Sequence, residues 1–118
     1  MRGGQNNLGY MYDTGKGVPQ DYAESVKWYS LAADQGNAEA QSNLGLMYRD
    51  GKGVPQDFVQ AHMWFNLASM ATPAPDDLID WRENRKKDLD AIAINMTSDQ
   101  IAEAQRLARD WLAVHPRK

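Results

Sequence analysis

The chain is 118 residues long, 42% hydrophobic and 25% charged, with a formal net charge of −3 and a pI near 5.2, the composition of an ordinary globular protein able to bury about two thirds of its unfolded surface. That charge argues against general attraction to nucleic-acid phosphate or to an anionic membrane surface. The absence of cysteine excludes disulfides and thiolate chemistry and leaves the compartment open.

No apolar run approaches the roughly 20 residues of a membrane helix, and the opening MRGGQNNLGY lacks the apolar core of a secretory signal. The start is abrupt, because a later, similar unit is preceded by QGNAEAQ where this one has MRGGQ, and upstream sequence is expected.

The first segment carries Leu8, Gly9 and Tyr12 at helical spacing and runs into DTGKGVPQDY, Asp13 to Tyr22. A lysine between glycines raises the question of a phosphate cradle. That cradle needs G-x-x-x-x-G-K followed by Ser or Thr, whereas Lys16 and its later counterpart Lys52 are followed by Gly17 and Gly53. The corner reads instead as helix punctuation. Gly15 and Gly51 stand where a helix C-terminus wants a left-handed residue, and Pro19 and Pro55 cannot continue that helix. Asp21 with Glu24, and Asp57 with Gln60, have the spacing of a capping box.

The next helix has Tyr22, Val26, Tyr29 and Ala33 on one stripe. The whole pattern then recurs: Asn7 aligns with Asn43, Leu8 with Leu44, Gly9 with Gly45, Trp28 with Trp64 and Ala32 with Ala68, a period of 36 residues. Periods in this range mark stacked repeats, each here a helix hairpin, with Ala40, Leu44, Met47 and Tyr48 on the first helix of the second unit. Gly9 and Gly45 fall inside helices, where glycine costs about 1 kcal/mol relative to alanine, so close approach of the partner helix is expected. Trp28 and Trp64 recur with the repeat and are expected to fill the seam between units.

Beyond Ala71 the pattern breaks at TPAPDD. One helix is expected from Asp76 to about Ile94, with Pro75 before it and Leu78, Ile79, Trp81, Leu89 and Ile92 apolar. A second follows a Thr97/Gln100 capping box to about Val114, with Ile101, Ala104, Leu107, Ala108, Trp111 and Leu112 apolar. This pair replaces a third repeat and seals the end of the stack, Arg82, Glu83, Arg85, Lys86, Lys87, Asp88 and Asp90 giving it a polar outer face. The basic run at Arg85 to Lys87 is nearly cancelled by its acidic neighbours and reads as a solvated face.

The motifs L-G-x-M-Y, G-K-G-V-P-Q-D and W-[YF]-x-L-A, repeated in register from Gln5 to about Ala71, resemble the Sel-one-like repeat family, relatives of the tetratricopeptide repeats. The resemblance implies an all-α, right-handed superhelical solenoid of antiparallel helix hairpins, about six helices here, in one domain: repeat one at about 5–36, repeat two at about 37–71 and the capping pair at about 75–115. It implies a non-enzymatic adaptor or scaffold holding a protein or peptide, of the kind frequent in bacteria as short stand-alone members. Some cysteine-rich relatives are linked to β-lactam binding, but this chain has neither their cysteines nor a replacement nucleophile.

No catalytic, metal or cofactor residues are assigned. There is no G-x-S-x-G or S-x-x-K nucleophile motif. His62, in the place of Val26, lacks ligand partners at metal spacing and is expected to be packed or solvated, and His115 to sit at a helix C-terminus. In hairpin solenoids the first helices line the concave surface. With Leu8, Gly9 and Tyr12 turned inward, Asn6, Asn7, Tyr10 and Asp13 face outward on the first unit, and Ser42, Asn43, Leu46 and Arg49, with Glu39 a turn earlier, on the second. The expected partner-binding set is Asn6, Asn7, Tyr10, Glu39, Asn43, Leu46 and Arg49. Asparagine at the place of Asn7 and Asn43 often bonds a peptide backbone in the related tetratricopeptide repeats. The alternative is a structural fragment that self-associates weakly through its N-terminal repeat edge.

Overall fold

The computed structural model describes residues 2–70 and 78–115, and the side chains of 4–70 and 83–115. The two glycine-rich corners divide the first part into paired helices: α1 (Arg2–Thr14) with α2 (Tyr22–Asp34), and α3 (Ala38–Asp50) with α4 (Phe58–Ser69). α3 packs on α2 and so joins the hairpins, while α5 (Leu78–Ala93) and α6 (Ser98–Val114) both pack on α4. No strand occurs among the described residues. This is the all-α solenoid of helix hairpins expected from the repeat.

Each corner is built twice over. At the end of α3, Gly51 is left-handed with φ +70° and its N–H reaches the Met47 carbonyl, which Lys52 N–H also meets at 3.0 Å. Gly53 is left-handed too, at φ +76°. It is pressed against the previous hairpin, where a β-carbon would stand 2.7 Å from the Tyr22 carbonyl carbon and 3.0 Å from Val26 Cγ2. Handedness and crowding together demand glycine there. The glutamine of the corner has a role the sequence reading lacks: Gln20 Nε2 donates to the Asp13 carbonyl at 2.8 Å, and Gln56 Nε2 to the Arg49 carbonyl at 2.9 Å. Each satisfies an acceptor near the helix end that the helix leaves open.

The capping boxes expected at Asp21/Glu24 and Asp57/Gln60 are half present. Asp21 accepts from Glu24 N–H at 3.2 Å, and Asp57 from Gln60 N–H at 3.1 Å. The return bond does not form, because the N–H of Asp21 is already given to the Tyr12 carbonyl and that of Asp57 to the Tyr48 carbonyl, both at 2.9 Å. These bonds tie the start of each second helix to the end of its first. At Thr97/Gln100, where no such long-range bond competes, the box is complete at 2.8 and 3.1 Å.

The core follows the repeat with two corrections, at Leu8 and at Trp28. Leu44, between α2 and α4, is buried, whereas Leu8 on the edge helix α1 is only half-buried. Of the two tryptophans expected in the seam, Trp64 is buried and meets Trp111 of α6 edge-on at 6.1 Å, but Trp28 is half-buried. The deepest aromatics are their chain neighbours Tyr29 and Phe65, each fully buried against the glycine of the facing helix.

At the C-terminal end, Ile92 and Leu89 of α5 join Ala61 and Phe65, and Ala108, Leu107, Trp111 and Leu112 of α6 join the cluster of Trp64 and Leu67. Glu83, Lys86, Lys87 and Asp90 are exposed as expected, while Arg85 and Asp88 are half-buried and paired at 3.0 Å. Pro75 and Asp76 lie outside the described residues, as do the side chains of Leu78, Ile79, Trp81 and Arg82.

Candidate partner-binding face

Asn6, Asn7 and Tyr10 share one side of α1, and Glu39, Asn43, Leu46 and Arg49 the matching side of α3, through i, i+3 and i+4 spacing. Asn43 Nδ2 donates to Asn6 Oδ1 at 3.2 Å across the seam between hairpins. One bond leaves each amide further donors and acceptors. Asn7 and Glu39 are exposed, and Tyr10 is 46% exposed.

The other members are committed elsewhere. Leu46 is half-buried against the cluster of Ala61, Phe65 and Ile92. Arg49 makes a two-pronged contact with Asp50, 2.9 and 3.1 Å. Those bonds raise the guanidinium above its ordinary value, with a smaller push from Asp88, and hold the Asp50 carboxyl below its own. Ser42, expected to face outward, is buried: α3 is packed by both α2 and α4 and keeps fewer outward positions than α1.

The lysines of the two corners rest on aromatic rings. Lys16 Nζ stands 5.3 Å over Tyr10 and donates to its hydroxyl at 3.4 Å, and Lys52 Nζ stands 5.4 Å over Tyr22 of the previous hairpin. Asp13, counted among the outward residues, is half-buried and accepts from the Tyr29 hydroxyl at 3.3 Å. Burial, then the Asp13 charge, pushes that phenol far above its ordinary range, so it is a structural donor rather than an acid–base group.

His62 is buried, and desolvation lowers its pKa. His115 is the C-cap residue of α6, its N–H on the Trp111 carbonyl at 2.9 Å and its ring stacked on Trp111 at 4.0 Å. Among the described residues no three His, Asp or Glu side chains gather as a metal site, and no described helix is long and apolar enough to cross a membrane. The chemistry on offer along α1 and α3 is recognition by amides and one exposed aromatic. Sequence reasoning missed the bond that joins Asn6 to Asn43, which lie 37 residues apart, so that Asn43 meets the chain neighbour of its own equivalent, Asn7, and not the equivalent itself.

The Sel1 repeat family matches residues 3–37 and 38–72. No curated protein matches. Among solved structures, c5321, described as a protective antigen present in uropathogenic Escherichia coli strains and displaying an SLR fold, is similar with a TM-score of 0.82 and 31% identity. The similarity covers 96% of this chain and 22% of that one, so it extends past the two matched repeats into the C-terminal pair. A Sel1 repeat protein from Oxalobacter formigenes is similar with a TM-score of 0.64 and 35% identity, over 77% of this chain and 62% of that one. This chain thus spans about a fifth of the first structure and less than two thirds of the second, both bacterial proteins. With two repeats matched over more than half its length, the chain belongs to the Sel1 repeat family, whose members are generally protein–protein interaction scaffolds.

Proposed function

We propose that the chain is a non-enzymatic adaptor that holds a peptide or protein segment along α1 and α3. The observation that carries this reading is Tyr10, 46% exposed on α1, beside exposed Asn7 and one turn from the Asn6–Asn43 pair. An exposed tyrosine supplies apolar contact area with a polar tip, and amides with spare donors and acceptors suit a polypeptide backbone. Glu39 extends the face along α3, while Leu46 and Arg49 form its rim, held by the cluster of Ala61, Phe65 and Ile92 and by Asp50.

The test compares proteins captured by the tagged chain with those captured by Asn7→Ala/Tyr10→Ala and Asn43→Ala/Arg49→Ala double variants of unchanged melting temperature. Interactors held by the parent and lost by the first double variant support the reading. Full retention by both removes this face from consideration.

A second reading, weak self-association through the edge of α1, draws on Gln41. Its Nε2 donates to the Ala33 carbonyl of α2 at 3.2 Å and so fastens α3 to the preceding hairpin. Gln5 holds the same place on α1, half-buried at the edge of the stack. Sedimentation velocity decides it: a monomer at every concentration removes self-association.

A further inference from the structure

α4 and α2 are equivalent helices with unequal neighbours. On α4, Met63, Trp64 and Leu67 are 6%, 7% and 0% exposed. α6 packs on this helix, with Trp111 edge-on to Trp64 and Ala108 in the same cluster as Met63, Trp64 and Leu67. One period earlier the same three places on α2 hold Lys27, Trp28 and Leu31. There the lysine is exposed, the tryptophan half-buried and the leucine 40% exposed.

We propose that this face of α2 docks an amphipathic α-helix supplied by a partner protein, of the kind that α6 presents to α4. The occupant of the equivalent face defines its chemistry. α6 offers two small residues four apart, Ala104 and Ala108, both buried, and an aromatic three places on, Trp111. Small residues let helix axes approach and the aromatic fills the space beside the tryptophan.

The difference between the two faces adds a selective element. Lys27 stands where α4 has Met63, its Nζ 5.4 Å over the Trp28 ring, so the docking helix carries an acidic residue opposite it. A second copy of this chain is a poor occupant, because its α6 is already seated on its own α4. The face lies on a second helix, apart from α1 and α3, and stands or falls independently of the adaptor reading.

The experiment titrates the full isotope-labelled chain with a synthetic peptide of residues 97–115, which carries the two alanines, the tryptophan and the acidic Asp99, Glu103 and Asp110, and follows the indole N–H signal of Trp28, identified with Trp28→Phe. A saturable shift is expected. Leu31→Glu, at an exposed site that leaves melting unchanged, should weaken binding by about tenfold or more, as loss of an apolar anchor does. Lys27→Glu should weaken it through its charge. The proposal is overturned if no saturable shift appears at millimolar peptide, or if the Trp28 signal responds equally in Leu31→Glu. It is also overturned if only Trp64 and Trp111 respond, which would mean the peptide displaces α6, or if the chain alone dimerises in a Leu31-dependent way, which would assign the face to a second copy.

Discussion

A β-carbon built on Gly45 would stand 2.8 Å from Cε1 of Phe65, and one on Gly9 2.5 Å from Cδ1 of Tyr29. The two hairpins are therefore closed by the same contact, a bare helix backbone against an aromatic face. In the first hairpin Ser25 Oγ also donates to the Gly9 carbonyl at 2.7 Å, which fixes the separation of α1 and α2. Both rings are fully buried and have no room to swing away.

Substitution at Gly45 should therefore cost stability despite the better helix propensity of any replacement but proline. Alanine gains about 1 kcal/mol of propensity but crowds Phe65, and the net change should be destabilising. Leucine should overpack by about 1 to 3 kcal/mol. Combining Gly45→Leu with Phe65→Ala refills part of the space the ring vacates, so the double variant should lose less than the two single losses together. Urea unfolding of the four proteins measures this, and Gly45→Leu as stable as the parent would refute the close packing.

Trp64 and Trp28 should respond unequally to truncation. Removing a buried tryptophan costs about 3 to 5 kcal/mol, a large fraction of the roughly 6 to 18 kcal/mol expected of a chain this long. Trp64→Ala should lower the melting temperature sharply and cooperatively, because it also strips α6 of the ring that Trp111 meets. Trp28→Ala, at a half-buried site, should cost clearly less. Equal losses would show that the two faces are equally covered.

The contrast between the tryptophans also marks what the sequence could and could not tell. A 36-residue period identifies equivalent positions, and contacts inside one hairpin follow from it, which is why the corners and the glycine approach were legible. Neighbours between hairpins do not follow, because α1 is an edge, α3 is flanked on both sides and α4 meets a pair of helices unlike the repeat. Hence Leu8 and Leu44 differ in burial, Ser42 faces inward and Leu46 is spent on the cluster of Ala61, Phe65 and Ile92. Spacing defines a face one helix at a time, so the bond joining Asn6 to Asn43, which crosses from α1 to α3, does not follow from it. The half-formed capping boxes have the same origin: local spacing reveals the acceptor, not a donor already engaged nine residues upstream by Tyr12 or Tyr48.

That engagement makes the caps separable by mutation. Asp57→Ala and Thr97→Ala each remove an acceptor from a helix N-terminus and should cost about 1 kcal/mol, within a range of 0.5 to 2. Gln100→Ala should add a smaller loss, because its side chain accepts from the Thr97 N–H at 2.8 Å. Gln60→Ala should lose no such cap contribution, since the Asp57 N–H it would have served is held by Tyr48. Denaturant midpoints of the four variants give the ordering, and a Gln60→Ala loss as large as that of Asp57→Ala would contradict it.

His62 predicts a pH dependence with a definite sign. The imidazole is 6% exposed, its Nδ1 has no hydrogen-bond partner among the described residues, and burial holds its pKa below the ordinary 6.5. Below 6.5 the unfolded chain therefore takes up a proton that the folded chain refuses, and protonation pulls toward unfolding. The contribution to stability is complete above the unfolded value and declines as the pH falls through about 6.5 toward the folded value. Melting temperature should accordingly drop between about pH 7.5 and about 5.5, a window above the range where most carboxylates titrate. His62→Val installs the residue that α2 carries at the same place, Val26, and takes the titrating group out of the core. The variant's melting temperature should fall less across that window than the parent's, and parallel profiles would show that the buried imidazole is not the source of the acid sensitivity.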